Sequence, residues 1–477
     1  MERAEAEAIY DAGREVVVEV LLRMDRQIGE LTETVRRQGE RIEQLERRLN
    51  RSSRNSSQPP SADPAGTPPR RGKDRSGRRQ GGQPGHEGKG RSLLEAWAVD
   101  EFIDHWPAGC ECGREFGEED RVAVGEPARW QVEELPVITV RLIEHRCQRV
   151  RCRGCGRRRR AEPPREVAAS AFGPRYQAAI ATLSVRNRIS RRDVVELCEQ
   201  LFASRVSTGT IEAILARTAD ALADPHDDLL GRLRSSRAIN MDETGWRTAG
   251  QRRALWGIFG ERHAYLHVAP GRHQDTAEAL LGDTSAIVTS DRWWAYDHLP
   301  LDRRQICWAH LVRDFAAHAE GLGAEKTFGE HGLHVCERLF WAWELFQHTG
   351  DRRQLQHTIR RLQRELKPIA RRHAGKAPRY KRCRGTARNL LKAWPALWTF
   401  AKHPRVQPTN NHAERALRSA VIYRKLSLDS QSPDGETRTA RLLSAHTTCR
   451  LQHRSLHAYL IDTITAHQRG DPLPLLA

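Results

Sequence analysis

Several absences narrow the reading of this 477-residue chain. No stretch approaches 18 consecutive apolar residues, so a membrane-spanning helix is not expected. The first 20 residues open on acids and lack an apolar segment, so a secretory signal is not expected either. Gly271 and Gly321 stand in no phosphate-loop context, and no Walker or dinucleotide fingerprint occurs, so ATP is not implied. Acids are in short supply: 61 Asp+Glu face 79 Lys+Arg, a formal net charge of +18 with a pI near 9.9. Such a field suits nucleic acid first and an anionic membrane surface second. Arginine supplies most of the charge, and its planar fork matches phosphate and guanine.

The length calls for two to four domains. Residues 17–50 repeat every seven: Leu21, Ile28, Val35, Ile42 and Leu49, with Met24, Leu31, Gln38 and Leu45 three later. This a/d pattern, mostly β-branched at a, predicts a parallel two-stranded coiled coil with Gln38 as a polar register residue. A lone amphipathic helix packed on its own chain would show the same stripe. The following stretch to residue 91 is Ser, Pro, Gly and Arg without large apolar residues, and it reads as a flexible basic tether.

Five of the ten cysteines lie between Cys110 and Cys155. Cys110-x-Cys112 and Cys152-x-x-Cys155 flank "RWQVEELPVITVRLIEHRC", which alternates like a strand, with Cys147 as a fifth sulfur. Two knuckles joined by a β segment predict a zinc ribbon in which four thiolates hold structural Zn²⁺; free thiols are the alternative. Farther on, "ISRRDVVELCEQLFASRVSTGTIEAILARTADAL" reads as helix, turn, helix. Ser207 or Thr208 would cap the second helix, and Ile211, Ile214 and Leu215 would mark its buried face. That is a helix-turn-helix for DNA or a plain αα-hairpin.

From residue 237 the texture is α/β. "RAINMDETGW" predicts a strand ending at Asp242, "RALWGIFG" and "HAYLHVAP" two more, "HQDTAEALLG" a helix, and "SAIVTSDRWWAY" a strand ending at Asp291. This is the RNase H order, in which the first and fourth strands are neighbours and both aspartates converge. Glu414, in "TNNHAERALR", begins a helix and completes a carboxylate triad for two Mg²⁺ or Mn²⁺ ions. Its duller reading is an i,i+4 pair with Arg418, worth a few tenths of a kcal/mol. His310, in "CWAHLVRDF", is expected to contact DNA or to be a satisfied core histidine. The pair Trp293–Trp294 reads as packing. The 122 residues between Asp291 and Glu414 predict an inserted helical subdomain.

"NSSQPPS", "GGQPGHEG", the cysteine cluster, "MDETGW", "SDRWWAY", "CWAHLVRDF", "NNHAERALR" and "YLID" fall in one order. In these motifs the chain resembles the DDE transposases of bacterial insertion-sequence family sixty-six. The first cysteine pair departs from that family's C-x-x-C. The resemblance implies metal-binding acids Asp242, Asp291 and Glu414, zinc on Cys110, Cys112, Cys152 and Cys155, and DNA contacts by His310, Arg415, Arg418 and Lys425. It also implies transposon-end and target DNA as partners, two small accessory proteins, and a bacterial, cytoplasmic, nucleoid-associated location. The expected class is multidomain α+β: coiled coil 1–50, linker 51–95, zinc domain 96–165, helix-turn-helix 166–232, RNase H-like core 233–320 and 396–477, helical insertion 321–395. The expected function is cleavage at terminal inverted repeats and 3′-hydroxyl transfer to target DNA by a dimer or higher oligomer. The alternative is a catalytically silent DNA-binding regulator derived from a transposase.

Overall fold

The computed structural model describes residues 10–49, 52, 92–427 and 429–476; most of the expected linker lies outside them. Helix α1 (Arg14–Leu49) leaves its seven-residue repeat in solvent, with Leu21, Ile28, Leu31 and Val35 each more than half exposed. The described residues gather into two compact units. The smaller takes 92–144 and 195–206; the larger takes the residues up to 52, 145–194 and 207 onward.

The smaller unit is mostly irregular. It holds short 3₁₀ turns at Ala96–Ala98 and Glu118–Asp120 and an isolated bridge from Gly109 to Glu115. The expected strand at 129–147 is not formed. Alternation assigns two faces but supplies no neighbour, and a strand exists only where a partner backbone takes its N–H and C=O groups. Val132, Val137 and Leu142 are accordingly almost fully exposed.

The larger unit is a mixed α+β fold. It opens with a two-stranded hairpin, β1 (Arg149–Arg151) against β2 (Arg158–Arg160). Helices α2 (Arg165–Ala169), α3 (Pro174–Val185), α4 (Arg191–Phe202, its last turns in the smaller unit), α5 (Thr208–Ala221) and α6 (Ala223–Arg234) follow. Ser207 caps α5, its Oγ accepting from Thr210 N at 3.1 Å. Ile211, Ile214 and Leu215 of α5 are fully buried, and α3, α14 (Pro433–Leu451) and α15 (Leu456–Arg469) pack against it. Thr208 and Gly209 in its first turn, with Ala213 and Asp220 farther on, are the exposed residues of α5.

The sheet follows: β3 (Ala238–Thr248), β4 (Gln251–Phe259), β5 (Ala264–Ala269), helix α7 (Gln274–Leu281), β6 (Ile287–Ser290) and β7 (Arg304–Ile306). Its order is β5-β4-β3-β6-β7, with β3, β4 and β5 antiparallel and β6 and β7 added in parallel. The strand expected to stop at Asp242 continues to Thr248, because Ala249 (φ +47°) and Gly250 (φ +80°) form a two-residue hairpin that lets β4 pair back along it. Strand β5, at the sheet edge, is covered by α14. Ser444 Oγ accepts from Leu266 N (2.8 Å) and Thr448 Oγ1 from Ala264 N (3.0 Å), which satisfies edge amides that would otherwise invite another strand.

After β7 come α8 (Trp308–Ala319), α9 (Ala324–Thr349), α10 (Arg352–His373), α11 (Arg384–Lys392), α12 (Thr399–Lys402) and α13 (Asn411–Ser427), then α14 and α15. Trp308, Leu311 and Phe315 of α8, Phe328 and Leu339 of α9, and Ile359, Leu362 and Leu366 of α10 share one apolar cluster. A Cβ at Gly332 would overlap the Phe315 ring, so α9 lies against α8 at a distance only glycine permits. Among the described residues no helix is long and apolar enough to cross a membrane.

Candidate active site

Period-two alternation puts Ile239, Met241 and Glu243 of β3 in the interior and Asn240, Asp242 and Thr244 on the opposite, half-buried face. Asp242 pairs across the ladder with Gly257. A Cβ on Gly257 would run into the Phe259 ring of its own strand, and Leu417 of α13 lies within ordinary van der Waals reach of the same point, so α13 rests on β4 there. That approach brings the first turn of α13, and Glu414 with it, toward Asp242.

Asn410, fully buried, fixes the entry. Its Nδ2 donates to Met241 O and its Oδ1 accepts from Asn240 Nδ2, both at 2.9 Å. At the other end Arg424 donates to Thr244 Oγ1 (3.1 Å) and to Gly245 O. Helix α13 is thereby tied to β3 on both sides of Asp242.

Asp291 is the first residue beyond β6, the parallel neighbour of β3. Its Oδ1 accepts from Trp293 N (2.8 Å), and its carbonyl accepts from the buried Arg304 (3.0 Å) and from Ser290 Oγ (3.0 Å). The acids feel one another. Burial, then Glu243, Asp291 and Glu414 in turn, push the Asp242 carboxyl well above the usual carboxylate range. Asp291 and Glu414, from distant parts of the chain, are thus near enough to Asp242 for each to act on its carboxyl.

His310, on α8, joins them. Burial lowers its pKa while Asp291 and Glu414 oppose that, and its Nδ1 is buried without a hydrogen-bond partner, 3.9 Å from Glu414 Oε1. Among the described residues it is His310, not Arg418, that comes within ion-pair distance of Glu414. Arg415, Arg418 and Lys425 are exposed along α13. Trp293 and Trp294, expected to pack, turn outward beside Asp291 and are 38% and 48% exposed. Cys307 is not available as a ligand: it is fully buried, its Sγ accepts from Asn410 N, and its pKa is pushed up to about 11.

Sequence reasoning passed over Glu243. It points to the other side of β3, where Tyr296 Oη donates to it at 2.6 Å and Arg272 lies 4.0 Å away. Burial, then Asp291, raise it to about 7. Asn410 and Arg304 were missed as well. The doubled asparagine before Glu414 and the second acid after Asp242 were the available signals.

Hard carboxylate oxygens crowded in this way fit a divalent cation of the magnesium class, whose charge would relieve their repulsion. No three His, Cys, Asp or Glu side chains among the described residues close round a single point. Magnesium keeps water and substrate oxygens in its shell, so two carboxylates per ion suffice.

The cysteine pairs are described separately. In the smaller unit, Cys110 N donates to Arg114 O (2.8 Å) and Gly113 N to Cys110 O (2.9 Å), a tight knuckle. Hydrogen bonds from the Cys112 amide and then its thiol lower the Cys110 pKa. In the larger unit, Cys152 N donates to Arg157 O (2.8 Å) and Gly156 (φ +71°) closes the turn between β1 and β2. The amides of Cys155 and Gly154, then the Cys155 thiol, lower the Cys152 pKa. Amides aimed at sulfur favour thiolate, the form that binds zinc. The five cysteines are free thiols here, Cys147 being half-buried and the others exposed.

The family model described as "Transposase IS66 family" matches residues 169–438. A second, described as "Family of unknown function (DUF6444)", matches residues 3–92. "Uncharacterized protein y4hP" of Sinorhizobium fredii is 41% identical over 75 residues, 16% of this chain; the match spans only 14% of that relative's length.

Proposed function

The chain belongs to the IS66 family of transposases, and from that premise we propose that it cuts DNA at terminal inverted repeats and joins the freed 3′-hydroxyl to target DNA. The observation that carries this reading is the placement of Asp242 on β3, Asp291 at the end of β6 and Glu414 at the start of α13, with Asp291 and Glu414 both acting on the Asp242 carboxyl. Three antiparallel strands extended by two parallel ones support an RNase H-like core.

Two divalent cations, Mg²⁺ or Mn²⁺, would supply the clamp on attacking and leaving oxygens. Asp242 with Asp291 would hold one, and Asp242 with Glu414 the other. The protein's own groups do the positioning. Asn410 holds the Glu414 turn on β3, and Arg304 holds the Asp291 backbone. His310, whose Nδ1 lies 3.9 Å from Glu414 Oε1, is read as the residue that contacts DNA beside the acids, and Arg415, Arg418 and Lys425 offer positive charge to flanking phosphates. No covalent protein–DNA intermediate is required. Cys110, Cys112, Cys152 and Cys155 are read as thiolates for structural zinc. The first turn of α5 is the part of the helix-turn-helix open to a groove, and α1 is read as the dimer coil. Two small accessory proteins belong to this reading as partners.

The test is strand cleavage of a labelled duplex carrying the terminal repeats that flank the gene, in Mg²⁺ or Mn²⁺. Glu414→Gln is expected to lose several kcal/mol of transition-state stabilisation, roughly a thousandfold in rate, with duplex binding retained. Equal cutting by both proteins would sink the triad. Binding without cutting by the wild type would shift the weight to the regulator.

A further inference from the structure

Between Arg352 and Lys392 stand fifteen lysines and arginines and a single acid, Glu365. Helix α10 sorts them by face. Leu355, Ile359, Leu362 and Leu366 are buried, while Arg353, Arg360, Arg364 and Arg371 are exposed on the opposite side. At 100° per residue these four arginines fall within about 40° of arc. Glu365 is taken by Arg338 of α9. Some of the fifteen serve the fold: Arg352 donates to Phe400, Ala401 and His403 carbonyls, and Arg384 to those of Gly375, Lys376 and Ala377. The arginines of the outward face have no such employment.

We infer that the outward face of α10 is a DNA-binding surface that holds the phosphate backbone of a duplex, apart from the carboxylate site. An ordinary solvated face interleaves acids and bases and gains from i,i+4 pairs. This one does the reverse: Arg360 precedes Arg364 at i,i+4 with both exposed, a repulsion that an external polyanion would relieve. The span from Arg353 to Arg371 is about 27 Å at 1.5 Å per residue, the length of about eight base pairs. An anionic membrane is a poorer match, because insertion needs apolar side chains among the charges. Among the described residues of α10 there is no exposed large apolar side chain. The choice of arginine over lysine suits forked phosphate contacts. The inference shares with the proposed function only the premise that the partner is DNA.

The experiment is fluorescence anisotropy of the full chain with a 20-base-pair duplex lacking the terminal repeats, across about 50–300 mM salt. Each lost phosphate contact lowers the slope of log K against log salt by about 0.9. The triple variant Arg360→Ala, Arg364→Ala, Arg371→Ala is expected to bind more weakly with a slope shallower by about 2–3. The corresponding triple Arg→Lys should keep the wild-type slope. Glu414→Gln should also keep it, which separates failure of this surface from failure of the active-site reading. The alanine triple should melt no lower than wild type; if it does, single Arg364→Glu carries the test, with a slope shallower by about 1–2. An unchanged slope in the alanine variant, or displacement of the duplex by polyglutamate at equal charge, would overturn the inference.

Discussion

Helices α1 and α10 are both long and amphipathic, yet each leaves a different half of its pattern exposed. Helix α1 carries eight bases and eight acids, some paired within the helix: Arg36 and Arg37 with Glu33, at 2.6 and 3.1 Å. Its charges are settled and its apolar stripe is in solvent. Helix α10 carries eight bases and one acid, and its apolar stripe is sealed under α9 and the core. Its apolar side is settled and its charge is not. An uncovered Ile and Leu seam asks for another apolar surface, and an uncompensated arginine face asks for a polyanion. Periodicity states what a helix can bury; charge balance states what chemistry covers the rest.

The comparison breaks first at α1. Burying one Ile or Leu is worth about 1.5–3 kcal/mol, and in a coil each substitution acts twice. Ile28→Asp with Leu31→Asp is therefore expected to abolish self-association in sedimentation experiments and to leave the unfolding of the larger unit unchanged. Self-association that persists would return α1 to the status of a lone helix. The same kind of change on α10 should act on the fold. Leu362→Ala, at a fully buried position, is expected to destabilise the larger unit by about 2–5 kcal/mol in denaturant titration, with oligomeric state unaffected. The smallest effect concerns charge. Arg364→Glu turns the repulsions from Arg360, Arg361 and Lys367 into attractions, and it is expected to stabilise by a few tenths of a kcal/mol at low salt. The gain should fade toward 1 M salt, where screening is nearly complete. A loss of stability would mean that Arg364 is used by the fold.

The strands from β3 to β6, helix α7 between β5 and β6, and the Ser207 cap were legible because each rests on local chemistry: alternation, turn residues, a hydroxyl before an apolar run. The stretch 129–147 was misread for a physical reason, since alternation assigns faces but no strand pairs with this segment among the described residues. Asp242 sits mid-strand because the Ala249–Gly250 hairpin extended β3 beyond the pattern that drew attention to it. Asp242, Asp291 and Glu414 could be picked out one by one as acids near strand or helix ends. Asn410, Arg304 and Glu243 could not, because their work is done across gaps of many residues: Asn410 to Met241, Arg304 to the Asp291 carbonyl, Glu243 to Tyr296.

The sequence by itself determined the basic field, the seven-residue repeat, the order of strands along the chain and which acids stand near strand and helix ends, since composition and spacing are properties of the chain alone. Tertiary structure decided the rest. Only packing shows that Asn410 ties the start of α13 to β3, that His310 rather than Arg418 faces Glu414, and that α10 hides its leucines while α1 does not. Whether a side chain meets solvent, a neighbour or a charge depends on which distant segments come to lie against it, and no window along the chain contains that information.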